Sequence, residues 1–95
     1  MNSKNNKISQ TLRHIVFERD SYTCVCCDQG ASDIHHVFNN RNVLYNLVSL
    51  CRKCHGQYHG TLPITDTEMY FSEFKQSMFE QMCDYLVAAH PREWE

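Results

Sequence analysis

Twelve of the 95 residues are cysteine or histidine, and their spacing is the first sign of chemistry. Cys24-x-x-Cys27 and Cys51-x-x-Cys54 are two pairs with 23 residues between them. A two-residue spacer lets both sulfurs of one tight turn meet a single ion, and four thiolates at about 2.3 Å suit tetrahedral Zn²⁺. Two disulfides or four ordinary buried thiols are the plainer alternatives. A thioredoxin-like role would need one such pair at a helix start, and two pairs argue against it. Cys26 could compete for the ion, but it is adjacent to Cys27 and the step is too short for a knuckle. Cys83 reads as a small core residue.

The histidines offer a second, different site. His55 and His59 are four apart, which on a helix stacks both imidazoles on one face, a common grip on a metal. His35 and His36 are adjacent, and on a strand neighbours point to opposite faces. One of that pair can therefore supply a third nitrogen to the metal while the other stays unliganded beside it. Such an ion keeps open positions for water and substrate, the mark of a catalytic site. The plainer reading of the three is a second structural site or ordinary surface histidines. His14 and His90 have no partner in sequence and read as surface residues.

The elements that must position these groups form an α+β pattern. Ser9 to Asp20 reads as a helix capped by Ser9, with Leu12, Ile15, Val16 and Arg19 near one face. Tyr22 to Gly30 is a cysteine-bearing turn region. Asp33–Phe38 and Leu44–Leu50 read as strands joined by the polar loop Asn39-Asn40-Arg41-Asn42, which places Asn46 on the second strand. Cys51 to Gly60 is a knuckle continued as a short helix, and Leu62-Pro63 is a connector. Thr65-Asp66-Thr67-Glu68 fits a capping box. Phe71, Phe74, Met78, Met82, Tyr85, Leu86 and Ala89 then recur at helical spacing until Pro91. This stripe either packs on the metal-bearing unit or joins two copies of the chain. The organisation expected is one domain, with a loose tip at residues 1–8, a core at 9–60 and a helical extension at 61–95.

Residues 12–60 resemble the HNH endonuclease family, also called the ββα-metal fold, in the subgroup that carries a four-cysteine structural zinc. The resemblance rests on His35-His36, Asn46 and the run Cys51-Arg52-Lys53-Cys54-His55-Gly56-Gln57-Tyr58-His59. Arg19-Asp20-Ser21-Tyr22-Thr23-Cys24 and Asn46-Leu47-Val48-Ser49-Leu50-Cys51 are similar to two further stretches of that family. It implies a metal-dependent hydrolase of DNA phosphodiester bonds. His35, His55 and His59 would hold one divalent ion, and His36 would be the general base that activates water. Asn46 would hydrogen-bond across the hairpin loop to position that base. Cys24, Cys27, Cys51 and Cys54 would hold the structural Zn²⁺. Three imidazoles favour Zn²⁺, Ni²⁺ or Mn²⁺ over the oxygen-loving Mg²⁺ as the catalytic ion.

Charge is divided along the chain. Residues 1–60 carry seven Lys/Arg against four acids, and residues 61–95 carry two against seven. A polyanion would prefer the first part, where Arg13, Arg41, Arg52 and Lys53 could reach phosphates or simply be solvated. DNA binding dominated by phosphate contacts, with weak sequence preference, is the expectation. No apolar run approaches the ~20 residues of a membrane span, and no secretory pattern opens the chain. The expected setting is the cytoplasm, with no membrane partner, and the family resemblance implies a bacterial or phage-infected cell. A non-catalytic zinc-stabilised nucleic-acid-binding module and an adaptor using the acidic helix are the competing classes.

Overall fold

The computed structural model describes residues 7–64 and 69–94. Helix α1 spans Gln10–Arg19, strand β1 Asp33–His36, strand β2 Leu47–Leu50, helix α2 Arg52–His59 and helix α3 Phe71–Ala89. Short 3₁₀ turns lie at Leu44–Asn46 and Pro91–Trp94. The chain enters α1 through Ser9, whose hydroxyl accepts the Leu12 N–H at 3.1 Å, so one of the helix's four free donors is satisfied. The Lys7 carbonyl accepts a hydrogen bond from Asn42 and Ile8 packs on the core, while residues 1–6 of the expected loose tip lie outside the described residues. Val16 is fully buried on α1, while Ile15, expected on the same face, is 42% exposed.

The strands form an antiparallel hairpin in which Asp33 faces Leu50 and His36 faces Leu47. Both are shorter than the sequence pattern suggests. Asn46 lies in the 3₁₀ turn just before β2 and not on the strand, because its N–H turns back to the Val43 carbonyl at 2.9 Å. Pleating then sorts the side chains. Ile34 and Leu47 pack with Val16 of α1, whereas Val48, Leu50 and Val37 pack with Tyr58 of α2 and with Met78, Met82 and Leu86 of α3. The hairpin is thus sandwiched, which explains why all four residues of β2 are buried.

Helix α2 ends at Gly60, whose φ of +81° is the left-handed conformation that favours glycine at a helix C-terminus. The stretch Thr65 to Glu68, read as a capping box, lies outside the described residues. The helix it was expected to open starts at Phe71, where the Glu73 carboxylate accepts the Tyr70 N–H at 3.2 Å. The apolar stripe's centre, Met78, Met82 and Leu86, is buried inside the chain, so a second copy would meet only its exposed margin, including Phe71 and Val87. No helix among the described residues is long and apolar enough to cross a membrane.

One ion pair ties these layers together. The Arg19 guanidinium forks onto Asp20 at 2.6 and 3.0 Å and donates to the Leu44 and Leu47 carbonyls at 2.8 and 2.6 Å. Asp20 in turn accepts the Ser49 N–H at 2.9 Å and the Tyr85 hydroxyl. His90, read from sequence as a surface residue, is half-buried with Nε2 3.1 Å from Arg19. Because the Asp20 side chain is 1% exposed, removing it takes the carboxylate from a half-buried guanidinium and leaves the buried Ser49 N–H without its partner. Asp20→Ala is expected to lower stability by about 3–5 kcal/mol, measured by denaturant titration of the metal-loaded protein.

Candidate metal centres

The four-cysteine group is built from two turns. After α1 the chain reverses sharply with Ser21 and Tyr22 at φ of 58° and 59°, and Asp28 follows at 67°. A single bridge between Thr23 and Gly30 closes the loop that carries Cys24 and Cys27. Cys51 caps α2, its Sγ accepting the Cys54 N–H at 3.3 Å, so the second knuckle is also a helix start. The Sγ atoms of Cys24, Cys27, Cys51 and Cys54 all lie within 4.8 Å of one another, with Cys27 and Cys51 3.6 Å apart. Tetrahedral ligation at about 2.3 Å would set sulfurs about 3.8 Å apart. The group is therefore compatible with zinc or another metal. Cys26 lies outside it and hydrogen-bonds to Cys24, drawing that thiol down to about 4, while burial pushes Cys27 and Cys54 up. Four thiolates this close repel one another, and a cation at their centre removes that conflict. Cys83 is half-buried on α3.

The histidine group uses the other end of the hairpin. Its ring centres form a nearly equilateral triangle: His35–His55 5.3 Å, His35–His59 5.1 Å and His55–His59 4.9 Å. Three imidazoles bound tetrahedrally at about 2.0–2.1 Å would have ring centres roughly 5.2 Å apart. His35 is buried, and its Nε2 has no hydrogen-bond partner, an orphaned acceptor that a metal would satisfy. Burial, followed by the neighbouring His55 and His59, holds His35 down at about 3, and burial also lowers His59. Neutral imidazoles are the form that binds metal.

Asp33 belongs to this centre and was missed in the sequence. Its Oδ2 accepts the His55 Nδ1–H at 2.9 Å, which leaves His55 Nε2 as the atom with a lone pair to offer a metal. Burial pushes the Asp33 carboxyl up, but hydrogen bonds from His55, Ser32 and Arg52 outweigh it and leave it below its ordinary value. The available signal was its position two residues before His35, on the same face of the strand.

His36 is not in the metal group, in keeping with the pleat. It lies where two clefts meet, one lined by His35, His55 and His59 and the other by Lys7, Gln10 and Arg13. Its Nε2 donates to Asn42 Oδ1 at 2.8 Å. The Asn42 amide is oriented by its Nδ2 donating to the Lys7 carbonyl at 3.0 Å, so the neutral His36 ring keeps its lone pair on Nδ1. Buried Asn46 accepts the Phe38 N–H at 2.8 Å and donates to the Arg41 and Asn39 carbonyls at 2.8 and 3.0 Å, pinning the loop beyond His36. Of the expected cations, Arg13 shares the second cleft with His36 and Arg52 sits 3.4 Å from Asp33. Arg41 is exposed on the pinned loop. Lys53 points elsewhere, into a groove with Cys26, Cys27 and Phe74.

Two outcomes follow from this geometry. His59→Ala, metallated with Zn²⁺, is expected to keep the four-cysteine ion and lose the other, read by elemental analysis with circular dichroism unchanged. His35 binds its proton more weakly folded than unfolded, so its contribution opposes folding as pH falls below about 6.5 and levels off near about 3. The thermal midpoint of the wild type should therefore fall more steeply between pH 6.5 and 4.5 than that of His35→Gln.

No family model, no curated protein and no solved structure matches the chain, so its chemistry is read from these side chains.

Proposed function

We propose that the chain is a metal-dependent endonuclease that hydrolyses DNA phosphodiester bonds, with the fold and catalytic scheme of the HNH family. The observation that carries this reading is the division of labour at the hairpin's end. Three imidazoles converge at metal-ligand distances, while the adjacent His36 stays outside them, hydrogen-bonded and oriented. A purely structural site has no use for an unliganded base beside an open three-nitrogen centre.

In this scheme His35, His55 and His59 hold one divalent ion, which when bound supplies Lewis-acid stabilisation of the phosphate's charge and of the leaving oxygen. Asp33 keeps His55 in the tautomer that presents Nε2. Asn42 takes the Nε2 proton of His36 as a hydrogen bond, so Nδ1 is the atom that receives the proton from attacking water. Asn46 holds the loop's backbone and with it the direction of His36. Arg13 offers its guanidinium in the cleft beside His36, in reach of a neighbouring phosphate. The four-cysteine group fastens the turn after α1 to the start of α2 and so keeps both sides of the site in register. A single unit of this kind contacts one strand at a time, which makes nicking the elementary event.

The decisive assay is cleavage of supercoiled plasmid by protein purified without chelator, with Mg²⁺, Mn²⁺, Ni²⁺ and Zn²⁺ supplied in turn. His36→Ala is expected to cut about 10²–10⁴-fold more slowly with its zinc content unchanged. A folded, zinc-loaded wild type that is inert with every metal would sink the enzyme reading and leave a binding module.

A further inference from the structure

Helix α3 lies outside the stretch that resembles a known nuclease core, yet it sets a cation over Tyr58, whose ring packs on two of the three histidines. Lys75 is the one basic residue between Phe71 and Ala89, in a helix that also carries Glu73, Glu80 and Asp84. Its neighbours at helical spacing, Phe71 and Phe79, are aromatic rather than acidic, and each touches one flank of the site. The Phe71 ring lies against Gly60, the residue after His59. The Phe79 ring meets Phe38, on the loop beyond His36, edge-on at 5.8 Å. Lys75 is bracketed between them.

The ammonium is half-buried on the aromatic faces, 4.9 Å from the Tyr58 ring centre and 5.7 Å from that of Phe71. Tyr58 in turn packs edge-on against His35 and His59, with ring centres 4.9 and 5.4 Å away. Among the described residues no carboxylate pairs with Lys75. A fixed cation beside a site that itself takes a divalent ion is repelled by it, and an anion bound between the two turns that repulsion into attraction.

We propose that Lys75 is a substrate-phosphate contact, its ammonium binding a non-bridging oxygen of a nucleic-acid phosphodiester held at the histidine centre. The proposal rests on the nuclease reading and adds to it a binding residue from outside the metal-bearing core. The aromatic faces hold the ammonium in place before the substrate arrives, which reduces the ordering cost of the contact. A phosphodiester and free phosphate offer the same oxygens, and the experiment separates them.

The test compares Lys75→Met, which keeps the apolar stem, with Lys75→Arg, both in zinc-loaded protein carrying His36→Ala so that binding is read without cleavage. Affinity for a fluorescein-labelled 20-base-pair duplex is measured by anisotropy from 50 to 200 mM NaCl. Lys75→Met is expected to reduce the slope of log affinity against log salt by about 0.9, so its affinity deficit shrinks about 3.5-fold across that range. Lys75→Arg should restore the slope, and zinc content and thermal midpoint should match the parent. A loss of packing alone would shift the midpoint and leave the slope intact, which would overturn the proposal. Inorganic phosphate at matched ionic strength is the second probe. A Lys75-dependent thermal shift with phosphate, and no Lys75-dependent slope with DNA, would assign the residue to free phosphate and equally overturn it. If protein with His36 intact cleaves plasmid while Lys75→Met leaves the slope unchanged, the proposal fails and the nuclease reading stands. If protein with His36 intact neither binds DNA nor cleaves, both fall.

Discussion

The bidentate pair of Arg19 and Asp20 is the constraint from which the arrangement of layers follows. Two adjacent residues at the end of α1 reach the 3₁₀ turn, β2, α3 and the C-terminal turn through His90. A buried ion pair of this kind is expensive to desolvate, and its return lies in fixing one geometry rather than in raw stability. The buried Ser49 N–H that Asp20 accepts would otherwise be an unpaired group inside a chain too short to tolerate many. Once α1 is fixed to β2, the turn after it must deliver Cys24 and Cys27 to the start of α2, and the two knuckles meet.

The pleat of β1 then does the chemical sorting. His35 falls on the face shared with α2 and joins His55 and His59, while His36 falls on the face shared with α1. Both stay near one cleft because the strand ends there and the loop beyond it is folded back by Asn46. The short hairpin, a weakness in stability terms, keeps His36 and the three-imidazole group at one cleft.

Much of this was legible in the residues themselves. Two CxxC pairs and an H-x-x-x-H spacing identify two ligand sets because ligand geometry depends on local turns and helical rise, both short-range properties. Ser9, Gly60 and the stripe of Met78, Met82 and Leu86 marked helix ends and a buried face for the same reason. Asp33, Asn42 and Lys75 were not legible. Each acts on a residue 6 to 22 positions away or through an aromatic neighbour, and single-chain spacing carries no sign of such encounters. Asn46 was assigned to the strand because its own turn, set by the Val43 carbonyl, leaves no mark in apolar alternation.

Residue types and local spacing were enough to set the inventory of candidate ligands, the α+β order of elements and the alternation that separates His35 from His36. These depend on residue type and on periods of 2 and 3.6, which the backbone imposes locally. Which ring nitrogens keep a lone pair was left to contacts across the fold. The fold gave the Nδ1 protons and lone pairs of His55 and His36 their places through Asp33 and Asn42. It also drew α3 across the unit so that the lysine of an acidic helix lies over Tyr58, the ring that packs on His35 and His59. Those outcomes depend on contacts between segments distant in the chain, which are settled only when the whole core closes.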